Sequence, residues 1–353
     1  MENLDENQGI GFFEKYLTVW VIFCMAAGVL IGKFLPGIPG FLQQFEYARV
    51  SIPIAVLIWL MIYPMMMKVD FTSIKNVGKN PKGLYVTWIT NWFIKPFSMY
   101  FIASLFLFGV FRAFIPADLA KDYLAGAILL GAAPCTVMVF VWSHLTKGNP
   151  AYTVVQVATN DLIILIAFTP TVAFLLGIGG ITIPWATLLL SVVLFVVIPL
   201  TGGILTRIAV IKRNGEEYFN NKFIPKFNNV TIAGLLLTLI IIFSFQGEVI
   251  LNNPLHIFLI AIPLSMQTFL IFFIAYLLCK KLKLSHDIAA PAGMIGASNF
   301  FELSVAVAIS LFGSSSPVVL ATIVGVLVEV PVMLALVRIA NSTINWFPVE
   351  KNS

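Results

Sequence analysis

Gly131-Ala132-Ala133-Pro134-Cys135 interrupts an apolar run that extends from Leu124 to His144. Small residues and a proline at mid-run do not make an ordinary lipid-facing helix. Pro134 has no N–H to give, and its ring clashes with the carbonyl one turn back. In hydrocarbon the freed carbonyls must find partners in protein or in a water-filled cavity. The stretch predicts a broken helix with Cys135 at the break. A second run carries the same interruption, Gly293-Met294-Ile295-Gly296-Ala297-Ser298-Asn299-Phe300-Phe301-Glu302. Gly131-Ala132 aligns with Gly296-Ala297, and at the same offset Gly148 aligns with Gly313. Two interrupted apolar segments at corresponding places in two halves point to a binding site at the membrane midplane.

The composition sets the solvent. Hydrophobic residues make up 59% of the 353 and charged residues 10%, with a mean hydropathy of +0.98. The surface of a water-soluble domain could not be covered from that stock, so the fold class is an all-α polytopic membrane protein. Cys24, Cys135 and Cys279 lie in three different apolar segments without C-x-x-C spacing. This argues against a disulfide framework and a zinc site. The net charge of +5 fits basic loops on one membrane face rather than a nucleic-acid partner. Residues 1–15 lack a basic stretch before the first apolar run, so no cleavable signal peptide is expected.

About ten spanning segments of ~20 apolar residues follow: Tyr16–Phe34, Val50–Met67, Leu84–Phe111, Leu124–His144, Thr153–Leu176, Trp185–Ile211, Val230–Phe245, Leu255–Cys279, Ile288–Phe312 and Pro317–Ile339. With the N-terminus inside, the inner face collects most of the basic residues. Among them are Lys15, Lys68, Lys75, Lys79, Lys82, Lys147, Arg207, Lys280, Arg338 and Lys351, whereas Lys33, Arg49, Arg112 and Lys121 fall outside. The expected location is the cell membrane, with both termini cytoplasmic. The basic stretch Thr206–Asn229 reads as a long loop that separates spans 1–5 from spans 6–10. As a division of the chain, residues 1–211 hold the first five-helix repeat and the start of the second half, and residues 212–353 hold the rest of the second repeat. Five spans per half reverse the second half in the membrane, giving an inverted repeat if the halves are related.

Few residues carry chemistry. Glu302 is a carboxyl near mid-bilayer, a costly placement that is functional by default. A low-dielectric setting favours the neutral acid, which suits a proton carrier. The plain alternative is a glutamic acid bonded to a neighbouring helix. Asn299, one turn earlier, either bonds a substrate hydroxyl or satisfies the break. A buried cysteine is most often a small hydrophobe, which is the reading for Cys24 and Cys279. Cys135 differs because it follows a helix-breaking proline, and an adjacent helix N-terminus favours thiolate. Thiolate selects soft ions, and trivalent arsenic and antimony are thiophilic. One sulfur rather than three permits release, so Cys135 is either a transient metalloid ligand or a small hydrophobe like the others, and the three cysteines could in principle form a trithiolate site. Asn160, Asp161 and Glu329 are polar groups in the spans that follow the breaks. Asn160 reads as a binding residue, and the two acids are proton sites or anchors for free backbone donors. Lys95, ahead of Pro96, snorkels to the inner surface, pairs with an acid, or occupies a cation site, snorkelling being the plainest. Trp142 and His144 read as interface anchors, with gating as the alternative for Trp142, and Phe301 flanks Glu302 as a further gating candidate. The glycines are close-packing positions; none is followed by Lys-Ser/Thr as in a phosphate loop. No nucleophile–base pair is evident, so an enzyme is disfavoured, and no cofactor is called for.

At Gly131–Pro150 and Ser298–Ser310 the chain resembles the arsenite efflux permeases of the bile acid/sodium symporter superfamily, over essentially its whole length. The resemblance implies ten spans in two inverted repeats, with spans 4 and 9 broken and crossing at a central site. It also implies a core bundle moving against a panel bundle within a single membrane domain. It implies export of trivalent arsenic in exchange for protons, with antimonite transport open. The family's required cysteine, glutamate and span-5 asparagine fall on Cys135, Glu302 and Asn160. The alternatives are a sodium-coupled organic-anion symporter of the same superfamily and a passive metalloid channel.

Overall fold

The computed structural model describes residues 16–47, 50–69, 81–135, 138–252 and 254–348. Five residues used to orient the chain, Lys15, Arg49, Lys75, Lys79 and Lys351, lie outside them. The described chain is helical apart from short connections and one pair of two-residue strands, β1 (Glu46–Tyr47) and β2 (Val50–Ser51). Helix α1 (Leu17–Phe34) bends by 93° through Leu35-Pro36 into α2 (Gly37–Gln43). Then come α3 (Ile52–Met67), α4 (Lys82–Val110), α5 (Ala117–Gly131), α6 (Met138–Leu145) and α7 (Pro150–Ile178). The second half holds α8 (Trp185–Asn214), α9 (Glu216–Phe245), the short α10 (Gly247–Asn252), α11 (Pro254–Lys281), α12 (His286–Ala297), α13 (Phe301–Phe312) and α14 (Pro317–Ser342).

Both interruptions are present as breaks, between α5 and α6 and between α12 and α13. Each falls where its helix reaches Gly-Ala, and each is followed by a short helix and then a long one. Six helices are long and apolar enough on their own to cross a bilayer. Large apolar side chains such as Phe93, Phe101, Ile166 and Phe258 stand exposed, as a lipid-facing surface requires.

The expected loop Thr206–Asn229 is a correction. It is helical on both sides of Gly215, which sits at φ 86° and ends α8. Its charges read as loop because they belong to a helical surface outside hydrocarbon, where Arg207 and Glu216 lie 3.7 Å apart. Three wide, five-residue turns share one cause. Thr90–Ile94, Val193–Val197 and Phe219–Phe223 each end two residues before a proline, Pro96, Pro199 and Pro225. Widening the turn moves the upstream carbonyl off the ring and gives it another donor. In α4 the Lys95 amide reaches Thr90 by this route.

Helix α9 packs on α1 and α3, and α3 packs on α8. Gly28 and Gly32 let α1 close on α9, since a Cβ at Gly28 would lie 2.6 Å from the Ile240 carbonyl oxygen. Helices α5, α11 and α13 pack around α14, in whose apolar window 72% of residues are buried, against 28% in that of α4. The α5–α14 contact depends on Gly126, where a Cβ would lie 2.6 Å from that of Ala321. The two aligned loop glycines serve different ends. Gly313 ends α13 at φ 87°, whereas Gly148 makes room for Pro291 and the Ser143 hydroxyl.

Candidate functional site

The two breaks meet. Pro134 and Asn299 form an antiparallel bridge, in which the Cys135 N–H donates to the Ser298 carbonyl at 3.3 Å and the Phe300 N–H donates to the Ala133 carbonyl at 3.1 Å. Backbone freed by one interruption is thus satisfied by the other, as apolar surroundings demand. Helices α5 and α12 present C-terminal ends to this crossover, while α6 and α13 present N-terminal ends. Partial charges of both signs therefore converge there.

Side chains complete the crossover. The Ser298 hydroxyl donates to the Glu329 carboxylate, and the Asn299 N–H donates to the same oxygen at 3.3 Å. The Ser304 hydroxyl donates to the Leu129 carbonyl at 2.9 Å, tying α13 to the end of α5. Of the two acids left open in the sequence, Glu329 is the one that holds backbone and hydroxyl donors. Asp161 is fully buried, and neither of its carboxyl oxygens has a hydrogen-bond partner among the described residues.

Beside the crossover lies a cavity of about 510 Å3. Cys135, Trp142, Asn299, Phe301, Glu302 and Glu329 line one wall. Met61, Pro64 and Met65 of α3 and Asn228, Asn229 and Thr231 of α9 line the opposite one. It sits where the α3–α9 group faces the broken helices, near Lys68. Asn299 Oδ1 and Glu302 Oε2 have no partner among the described residues, so each has acceptor capacity to offer a ligand. Glu302 stands in the first turn of α13, where the N-terminal dipole favours negative charge.

Three of the residues singled out in the sequence do not line this cavity. Asn160 is buried one layer behind it. Its Oδ1 accepts from Trp92 Nε1 at 3.1 Å and Asn91 Nδ2 at 3.4 Å, because it lies on the face of α7 turned toward α4. Asp161 follows it away from the cavity. Lys95 corrects the snorkelling expectation: it is fully buried, and its Nζ donates to the Ser298 carbonyl at 2.5 Å. The wide turn before Pro96 sets its position. Trp142 is no interface anchor either, being buried with its indole N–H unpartnered among the described residues; His144 is exposed. The opposite wall was not legible: Met61 and Met65 fall inside the expected span Val50–Met67, and Asn228-Asn229 at the end of the expected loop, with nothing in the letters to mark them. The cysteines do not gather. Among the described residues no three His, Cys, Asp or Glu side chains cluster as a metal site. Cys24 and Cys279 belong to the main core, and Cys135 packs with Val139, Val157 and Ile295.

The sequence model of the Sodium Bile acid symporter family matches residues 54–253. The arsenical-resistance protein Acr3 of Alkaliphilus metalliredigens is 66% identical over 97% of this chain and 96% of its own length. The protein of the same name from Corynebacterium glutamicum is 33% identical over 93% and 88%. The chain belongs to the sodium bile acid symporter family, in its arsenical-resistance branch. An uncharacterized transporter of Synechocystis is similar as well, at 47% identity over 96% of this chain. Its family relatives are thus named for transport or resistance, and none for an enzyme activity. In this symporter-family chain the acceptors and the thiol that face the cavity come from the broken helices, while the opposite wall comes from the α3–α9 group.

Proposed function

We propose that the protein is a secondary active transporter that exports trivalent arsenic, as arsenite, from the cytoplasm in exchange for protons and so confers arsenic resistance. The observation that carries this reading is the placement of one thiol, Cys135, and of the Glu302 carboxyl, whose Oε2 has no partner among the described residues, on the wall of a single cavity at a helix crossover. The names of the relatives supply the substrate.

Neutral arsenous acid enters the cavity from the side marked by Lys68, the cytoplasmic side under the orientation given by the basic residues. The Cys135 sulfur, a soft donor, faces the arsenic. Asn299 Oδ1 and Glu302 Oε2 accept from its hydroxyls, so both acceptors gain a partner only when substrate is bound. Ten spans in two inverted repeats let the broken-helix core move against the α1–α3–α8–α9 panel and expose the cavity to the other side. A proton arriving at Glu302 there turns an acceptor into a donor, weakens the hold on the hydroxyls and releases the substrate. An inward proton gradient drives the return. The coupling is needed because the membrane potential does no work on an uncharged substrate. Asn160 acts from behind by fixing Trp92 and the face of α4.

The test is arsenite uptake into everted membrane vesicles with an acid interior. Wild-type vesicles accumulate arsenite, and Cys135→Ala and Glu302→Gln vesicles do not. Accumulation that requires sodium and survives Cys135→Ala would make the protein an organic-anion symporter instead. Equilibration without a proton gradient would make it a channel.

A further inference from the structure

Lys95 is the one lysine or arginine that is buried among the described residues, at 0% exposure. A full charge in that setting needs compensation, and its surroundings provide it. The Nζ donates to the Ser298 carbonyl at 2.5 Å. Ser298 caps the C-terminal end of α12, where backbone carbonyls carry partial negative charge. The Ser298 hydroxyl in turn donates to Glu329, and the Cys135 N–H donates at 3.3 Å to the same Ser298 carbonyl that the ammonium binds. A helix-end carbonyl thus holds one cationic group at the point where two interrupted helices cross, and the residue that supplies it is tied to a carboxylate and to the Cys135 backbone.

Convergence of this kind is what a transporter uses to hold a mobile cation. Unwound carbonyls and the C-terminal ends of half-helices coordinate sodium or accept protons in such folds. Here the position is filled by a compact ammonium on a four-carbon stem, and the stem is rooted in the wide turn ahead of Pro96. The family is named for sodium, yet this chain brings its own positive charge to its crossover.

We infer that the Lys95 ammonium is a tethered cation that occupies the cation site of the helix crossover, so that this carrier needs no sodium, and that removing the side chain converts the place into a site for a small monovalent cation such as sodium or methylammonium. Lys95 is a positioning residue in this scheme. It does not line the cavity; it holds Ser298, and through Ser298 both Glu329 and the backbone of Cys135. The stabilising role stands apart from the substrate, and only the transport arm of the test rests on the proposed function.

The experiment compares purified full-length wild type and Lys95→Ala in sodium, lithium, methylammonium and choline chloride at equal ionic strength. Thermal unfolding is the first readout and arsenite uptake by everted vesicles the second. Wild type unfolds at the same temperature and transports equally in all four salts. Lys95→Ala unfolds at a lower temperature in choline, and sodium or methylammonium restores much of the loss and several-fold of the transport. Lys95→Gln keeps a donor for the Ser298 carbonyl and leaves no room, so it is destabilised without a cation response. A Lys95→Ala protein indifferent to every cation overturns the inference, and so does one as stable in choline as wild type. Sodium dependence of wild type overturns it without recourse to any variant. Failure of wild-type vesicles to take up arsenite would refute the transporter reading and leave the unfolding comparison standing.

Discussion

At the scale of single residues, the crossover has two tasks, holding the backbone and facing the cavity. Glu329 lines the cavity and also does the first, as acceptor for two donors. Glu329→Ala leaves the Ser298 hydroxyl and the Asn299 N–H without their acceptor, a loss of about 1–3 kcal/mol for buried donors. The expected result is a lowered unfolding temperature, with Glu329→Gln falling between Ala and wild type because it keeps an acceptor. The Cys135 side chain does the second. Cys135→Ser preserves the volume and exchanges a soft donor for a hard one, so arsenite accumulation falls while the unfolding temperature stays near wild type. Cys279→Ala does the reverse. It trims a fully buried side chain, costs on the order of 1 kcal/mol in stability and leaves uptake intact. Retained uptake in Cys135→Ser vesicles would count against any role for sulfur. Cys135 and Glu302 could be read from the letters because proline beside a thiol and an acid in an apolar run are each anomalous. Asn160 could not be placed, because which face of α7 turns toward α4 is decided by packing. Snorkelling is the plainest of three readings of Lys95 because a long cationic side chain ordinarily finds water; the wide turn before Pro96, absent from any periodicity, sends it inward.

At the scale of helices, close approach sets the tolerances. Gly126→Ala pushes α5 off α14 and costs about 1–3 kcal/mol by overpacking. Gly177→Ala, in α7 with open space around it, gains up to about 1 kcal/mol from helix propensity. Thermal unfolding of the two variants should therefore move in opposite directions, and equal shifts would refute the packing account. A second helix-scale expectation concerns His286, which lies at the start of α12 and outside the apolar span. Its Nε2 bonds the Ala340 carbonyl at 3.0 Å, and its ring lies among Tyr276 and Phe347. Burial holds the imidazole below the usual histidine value, against the pull of that carbonyl. The unfolded chain then takes up a proton that the folded chain resists. This contribution is complete above about pH 6.5 and is lost as the pH falls below it. His286→Gln, which keeps a donor for Ala340, should flatten the acid limb of a plot of unfolding temperature against pH. Helix positions themselves were legible from hydropathy nearly throughout. The exceptions are the short helices Gly37–Gln43 and Gly247–Asn252, which lie between the expected spans, and Thr206–Asn229, whose charges resemble those of a loop because hydropathy cannot tell a polar helix outside lipid from an irregular connection.

At the scale of the whole molecule, the cavity lies between two groups of helices that approach from different directions in the chain. Met65 stands on the wall opposite Cys135, so a thiol placed there reports access from one side. Met65→Cys in a Cys24→Ala, Cys279→Ala background should react with an impermeant maleimide in everted vesicles beyond the labelling of Cys135 in the background alone and show no such excess in right-side-out ones, and arsenite should slow the labelling. Reaction from the outside alone would reverse the orientation drawn from the basic residues. The pairing of the two halves was visible in the sequence as a shared offset between glycines. Their physical junction was not, since a bridge between Pro134 and Asn299 joins residues nearly half the chain apart. That bridge constrains how the protein is made. The first interruption leaves the ribosome long before its complement, and until the second arrives its peptide groups have only water, a neighbouring chain or the insertion machinery to satisfy them. Neither half should survive alone in a cell, and two halves encoded on separate messages should be degraded unless they are synthesised together.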